Sequence, residues 1–232
     1  MRRFLTSSAV SAVLLWGAQG ASAQSVVLDQ GSFRLAVDGR PAGTETFEIS
    51  RAGSGPEAQV YARGEIDITM PEGRLDLRPL LQSGGTEMAV AAYQIKISGQ
   101  QQQEIYVELG DRRYLTRILS ERGEQQRESR AAPGTLVLDT GVAHQYYFLA
   151  ARLRSGGGTV PVIVPREGRQ FELQVTEVGQ ESLSIGGQTI AARHLRLTGN
   201  QETRELWVDA EGRVLRVDHP AQGYSATREM AP

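Results

Sequence analysis

Along most of this chain apolar and polar residues alternate one for one. Val60–Met70 is the cleanest instance: Val60, Ala62, Gly64, Ile66, Ile68 and Met70 share one parity, and Tyr61, Arg63, Glu65, Asp67 and Thr69 the other. Successive side chains of a strand point to opposite faces, so this stretch reads as an antiparallel strand with one dry and one wet face. Ser32–Asp38, Thr44–Arg51, Leu75–Leu81, Met88–Ser98 and Glu104–Leu109 read the same way. Arg113–Ser120 is apolar on both parities, which predicts a strand covered on both faces. Glu121–Arg130 is strongly charged and leaves two readings open: a hairpin with its tip at Arg122-Gly123-Glu124, or an unstructured loop.

The pattern breaks at Asp139–Leu153. Val142, Tyr146, Leu149 and Leu153 recur at helical spacing, Asp139 or Thr140 can cap the start, Arg152 and Arg154 suit the C-terminal end, and Gly156-Gly157-Gly158 stops it. This is the one helix the sequence predicts. Alternation resumes in Val160–Val164, Gln170–Val178, Ser182–Ile185, Thr189–Thr198, Thr203–Asp209, Arg213–His219 and Tyr224–Glu229, with a turn expected at Gly179. Glu205–Pro220 is the clearest hairpin: in its turn, Asp209-Ala210-Glu211-Gly212, the Asp accepts backbone N–H bonds and the Gly takes a positive φ. Strands every 8–12 residues separated by Gly turns leave a sandwich, a barrel or a rolled sheet open.

The N-terminus changes where such a fold would work. Arg2 and Arg3, the short apolar run Ala9–Gly17 and the Ala21-Ser22-Ala23 site have the three parts of a secretory signal peptide, residues 1–23, followed by a single mature domain, residues 24–232. The expectation is an exported protein, periplasmic or extracellular. The chain has no Cys, so neither disulfides nor thiol chemistry are available. Net charge is −2, and no apolar run after the leader is long enough to span a bilayer as a helix. Neither feature calls for nucleic acid or a membrane partner.

Candidate chemistry is sparse. His144, His194 and His219 lack metal-ligand spacing, so no metal and no cofactor is implied. There is no Gly-x-Ser-x-Gly elbow, Glu65 and Asp67 lie on the wet face of a strand, and no catalytic residue is assigned. The aromatic cluster Tyr146-Tyr147-Phe148 is the most suggestive feature, together with Trp207, the one Trp after the leader. On a helix laid in a curved sheet these residues could line a ligand hollow, with Tyr147 and Phe148, off the helical stripe, at its rim; core packing is the plainer alternative.

Several features of the second half occur in a fixed order. They are His144-Gln145-Tyr146-Tyr147-Phe148, a Gly-rich loop, Phe171–Val178, Glu181 to Gly187, Ala191-Ala192-Arg193-His194 and Leu206-Trp207-Val208-Asp209 with Gly212-Arg213. With Val37-Asp38-Gly39 and Gly43-Thr44-Glu45-Thr46-Phe47 in the first half, the chain resembles the DUF3108-like exported bacterial proteins, a family of unknown function. The resemblance implies a long antiparallel sheet rolled around a helix in the periplasm or envelope, and no catalytic residues. The fold expected is therefore all-β: a strongly curved antiparallel sheet, rolled or an open barrel, with one helix packed against it. The function expected is non-enzymatic binding of an apolar or amphiphilic small molecule, or of an envelope component, in the hollow of that sheet. The alternative is a structural or assembly factor that binds an envelope protein by a sheet edge, and a more remote one an envelope hydrolase.

Overall fold

In the computed structural model, residues 25–84, 88–153 and 156–232 are described. The expected leader, and Arg154 at the expected helix end, lie outside them. Fifteen strands form one sheet: β1 Ser25–Val37, β2 Arg40–Ala52, β3 Gln59–Met70, β4 Gly73–Gly84, β5 Ala89–Gly99, β6 Gln103–Leu109, β7 Arg113–Ser120, β8 Gly123–Arg130, β9 Leu136–Val137, β10 Gly158–Val164, β11 Arg169–Ile185, β12 Gln188–Gly199, β13 Glu202–Val208, β14 Val214–His219 and β15 Tyr224–Arg228. Among the described residues a single short α-helix, α1, spans Tyr146–Arg152. The all-β fold with one helix against a curved sheet is the one expected from the alternation.

The strand order explains the shape. From β1 the chain meanders outward strand by strand to β8, one edge of the sheet. It then crosses to the opposite edge, where β9 pairs parallel with β10, and meanders back through β11–β14 until β15 pairs antiparallel with β1. The crossing, residues 131–153, runs through the hollow. Leu136, Val137, Leu138, Val142, Ala143, Phe148 and Leu149 join Phe33, Ile49, Ile66, Leu77, Ile95, Ile105 and Leu195 in one continuous core. Each aliphatic side chain buried there contributes about 1.5–3 kcal/mol relative to exposure. On β3 the burial follows the expected parity, with Val60, Ala62, Gly64, Ile66 and Ile68 inward.

Three expectations change, and one left open is settled. The helix begins at Tyr146, not Asp139, and neither Asp139 nor Thr140 caps it. The apolar periodicity at Val142 reflects a largely buried segment whose backbone is bonded partly by isolated turns, such as the Val142 amide to the Asp139 carbonyl at 3.3 Å, and partly by the Glu45 and Gln145 side chains. Gly179 is no turn: β11 runs continuously through it, with a bulge opposite β12 between Glu177 and Gly179. Arg113–Ser120 is covered on one face only, with Tyr114, Thr116 and Ile118 buried and Leu115 43% exposed. Glu121–Arg130, left open between hairpin and loop, supplies one arm of a hairpin: Gly123–Arg130 is β8, paired with β7, and the turn is Glu121-Arg122, closed by the Ser120–Gly123 pair, not Arg122-Gly123-Glu124. The Asp209 turn forms as expected. Gly212 sits at φ 84° and donates to the Asp209 carbonyl at 3.1 Å, and Asp209 Oδ1 accepts from the amides of Glu211 and Arg213 at 3.0 and 2.8 Å.

Candidate functional site

Two features have geometry beyond packing: a set of buried polar clamps in the hollow, and the free edge of β8.

The clamps hold the crossing segment. Glu45 lies on the inward parity of β2 with Phe47 and Ile49, fully buried. Its carboxylate accepts from the amides of Ala143 and His144, both at 2.8 Å, and faces His144 Nδ1 at 2.7 Å. The imidazole stacks on Phe47 at 5.8 Å, and its Nε2 is buried with no partner among the described residues. Gly64 makes room for the ring, since a Cβ there would lie 2.7 Å from His144 Cε1. Above it Tyr93 donates to Asp139 at 2.8 Å, and Gln145 Oε1 accepts from the Asp139 amide at 2.7 Å. Burial, and then the Asp139 charge, push the Tyr93 hydroxyl well above the usual phenol range, which keeps it a donor. Burial and the nearby Glu45 raise Tyr224 in the same way. Arg204 donates to the Tyr146 hydroxyl at 3.0 Å, and Arg228 forms a buried two-pronged pair with Asp29 at 2.7 and 3.0 Å. Unpaired charges are not tolerated in such a core, and these are paired.

Three of the four expected lining residues come together in the core, and the fourth, Trp207, lies apart. Tyr146, Tyr147 and Phe148 are all buried, at 5%, 7% and 1% exposure, and Tyr147 and Phe148 meet edge to face at 5.8 Å. They fill the hollow and do not rim it. The two turns of α1 are buried around their whole circumference from Tyr146 to Ala150, so the helical stripe loses its meaning there. Trp207 is on the opposite face of β13, in a separate small cluster with Ala192 and Leu215. It stacks on His194 at 4.4 Å, donates to Glu181 at 2.9 Å and lies under Arg216. That indole bond, opposed by desolvation and helped by His194, holds the Glu181 carboxyl below its ordinary range.

Each histidine faces carboxylates. His144 meets Glu45, His219 meets Glu202, and His194 is bracketed by Glu181 at 2.7 Å and Glu205 at 2.8 Å. Among the described residues none bonds a serine hydroxyl, so the Ser-His-carboxylate arrangement of a hydrolase is not assembled there.

The β8 edge is the second feature. Sequence reasoning left it between hairpin and loop because both of its faces are wet. Residues 123–128 are exposed on either parity. At its C-terminal end the Arg130 amide donates to Gln170 Oε1 at 3.0 Å and the Arg130 carbonyl accepts from Gln170 Nε2 at 2.5 Å. Both backbone groups of Arg130 therefore face away from β7. By the alternation of an antiparallel ladder, so do those of Glu124, Gln126 and Glu128. Odd-numbered residues face inward: Gln125 lies opposite Ile118 and Arg127 opposite Thr116. Next to Gln125 a polar cleft of about 370 Å³ opens between the β5–β6 and β7–β8 turns, lined by residues 99–103, Ser120, Glu121 and Arg122.

Comparison with known proteins corrects the family reading. A family model described as a domain of unknown function (DUF6134) matches residues 134–231, and nothing points to the DUF3108-like proteins. No curated protein matches the chain. Among solved structures, the crystal structure of a β-barrel-like protein of domain of unknown function DUF1849 from Brucella abortus is similar over 87% of this chain and 95% of that one, with a TM-score of 0.54 at 10% identity. The chain is thus similar to DUF6134 through its second half, and through most of its length it shares the fold of the DUF1849 β-barrel-like protein.

Proposed function

We propose that this is an exported, non-enzymatic envelope protein that binds an extended segment of a protein partner by strand addition along the free edge of β8. One observation carries the reading: among the described residues no strand covers the outward backbone groups of Glu124, Gln126 and Glu128, while the hollow that could have held a small ligand is filled by the crossing segment. Main-chain bonds supply affinity in strand addition, and neighbouring side chains supply selectivity. Export rests on the three-part N-terminal pattern, and places the partner in the periplasm or outside the cell.

The test uses a photo-crosslinking residue at Glu124 in the full chain in its native cells, with the same residue at Glu65, on the wet face of β3, as control. A crosslinked partner is expected from position 124 alone, and Gln126→Pro in the same chain should abolish it. Proline removes an outward N–H that β7 does not use, a change edge strands tolerate. Crosslinking that survives Gln126→Pro, or arises equally from position 65, refutes strand addition.

A further inference from the structure

We infer that the segment taken up by β8 carries Asp or Glu at the position opposite Arg127, where its side-chain carboxylate pairs with the Arg127 guanidinium. This rests on the strand-addition reading above and goes on to specify the chemistry of the partner.

Arg127 lies on the inward parity of β8, opposite Thr116 of β7. A cleft of about 270 Å³ opens beside it, between β8 and the turn from β10 into β11. On the far wall stand Ile163, Val164 and Pro165, all buried and none able to pair a charge. Arg169 is there too, a second cation, already held by Glu202 at 3.0 Å and by Glu167. The one acid lining the cleft is Glu128, and its carboxylate is bonded to Arg113. The Arg127 guanidinium lies against Gly168, where a Cβ would collide with it, and forms neither hydrogen bond nor ion pair among the described residues. It is a solvent-exposed cation at the side of an open strand, next to a cleft that offers it no anion.

Side chains directly opposite across a ladder share a face. The residue opposite Arg127 in an added strand therefore points inward with it, toward this cleft, whichever way the strand runs. The added strand also displaces water from the guanidinium, and a charge that loses water without gaining a partner is costly. A carboxylate at that position returns a charge-assisted bond, stronger than the one a carboxamide can give. A Lys or Arg there sets like charges against each other. A terminal carboxylate lies in the plane of the ladder and not on its inward face, so a side chain is the better match. A second copy of β8 does not supply the acid. In a two-fold antiparallel contact odd residues meet odd ones, which puts Gly123, Gln125, Arg127 or Ser129 opposite Arg127, and never Glu124 or Glu128.

Ten-residue peptides, blocked at both ends and labelled with fluorescein, test this by anisotropy against the full chain. They alternate Thr with Glu, with Gln or with Lys. The Thr/Glu peptide should bind about tenfold more tightly than the Thr/Gln peptide, a difference of about 1.4 kcal/mol, and the Thr/Lys peptide most weakly. Arg127→Gln should erase the preference for Glu, and Arg127→Glu should reverse the order of Glu and Lys. Arg117→Gln removes a cation from β7 on the outer parity, opposite Gln126, and should leave the order intact. Gln126→Pro and Glu124→Pro, which remove different outward amides, should each abolish binding of all three peptides. Equal binding of the Glu and Gln peptides, or a Glu preference that survives Arg127→Gln or vanishes in Arg117→Gln, overturns the inference; if both proline variants still abolish binding, strand addition stands. Binding that survives both proline variants, or no binding of any peptide at millimolar concentration, overturns strand addition and the inference with it.

Discussion

Glu45→Ala should be among the most damaging single changes in the chain. The carboxylate is fully buried and bonds the amides of Ala143 and His144 and the His144 ring, all within 2.8 Å. Removing it strands three polar groups in the core. Each unsatisfied buried group costs about 1–3 kcal/mol. The crossing segment can relax toward α1 and recover some of this, so the net loss expected is about 3–5 kcal/mol, the range for deleting one member of a buried pair. Urea unfolding monitored by Trp207 fluorescence reads the loss as a drop in midpoint. Hydrogen exchange should localise it, with Ala143, His144 and the following helix amides exchanging faster while β3 and β4 keep their protection. A midpoint shift worth less than about 1 kcal/mol, on the unsatisfied-group scale, would refute the idea that Glu45 anchors the crossing segment.

Gly64→Ala should destabilise by about 1–3 kcal/mol, as overpacking does, because its Cβ would lie 2.7 Å from a His144 ring that Glu45 and Phe47 hold in place; a denaturant midpoint equal to wild type contradicts this. Tyr147→Ala, at a buried position, should cost about 3–5 kcal/mol, as large aromatic truncations do, where a rim position would lose little. Gly212→Val should lower the midpoint more than Ala210→Val, since Gly212 is at φ 84° and a left-handed backbone costs a side-chain-bearing residue about 1–2 kcal/mol; equal midpoints would remove the turn argument. Burial and then Arg204 depress the pKa of His219 below 6.5, so the folded state holds fewer protons there than the unfolded state. Its contribution is therefore complete above about pH 6.5 and lost as pH falls through the folded value, and the stability advantage over His219→Gln should shrink on acidification; an advantage that grows instead reverses the sign.

The parts of the fold that were legible were those with one wet and one dry face. The alternation of Val60–Met70 set both the strand and its inward residues, and Asp209 with Gly212 set the hairpin turn. The crossing segment was not legible, because a largely buried chain has no wet face to mark, and the amides of Ala143 and His144 are satisfied by Glu45, 98 and 99 residues away in sequence. β8 was ambiguous for the opposite reason, being wet on both sides. The clamps did leave a trace. Glu45 shares its parity with Phe47 and Ile49, Arg204 with Leu206 and Val208, and Arg228 with Tyr224 and Ala226. A charge on the dry parity of a strand is a buried charge in need of a partner. Reading those three positions together would have pointed to the polar network before its partners were known.

The topology also accounts for why the two edges differ. A chain that meanders out to β8 and must restart at β10 on the far side has to cross the sheet, and here the crossing passes through the hollow. On the way it covers one edge: Leu136 and Val137 pair with Val162 and Ile163, and the Leu138 amide donates to the Ile163 carbonyl at 3.2 Å. It is tied as well to β5, where the Val90 amide donates to the Thr135 carbonyl at 3.2 Å. On the β8 side it leaves at Ala131, whose amide bonds Arg112, and turns inward without covering the strand behind it. The same route that fills the interior leaves β8 with no partner strand on its outer side among the described residues; there the Gln170 side chain meets Arg130, and Ile163, Val164, Pro165, Gly168 and Arg169 share a cleft with Arg127, Glu128 and Ser129. Gln170 presents one N–H and one carbonyl to Arg130, as the peptide group of a neighbouring strand would. From there to Gly123 the open ladder extends about 3.3 Å per residue, long enough for a partner strand of ordinary length.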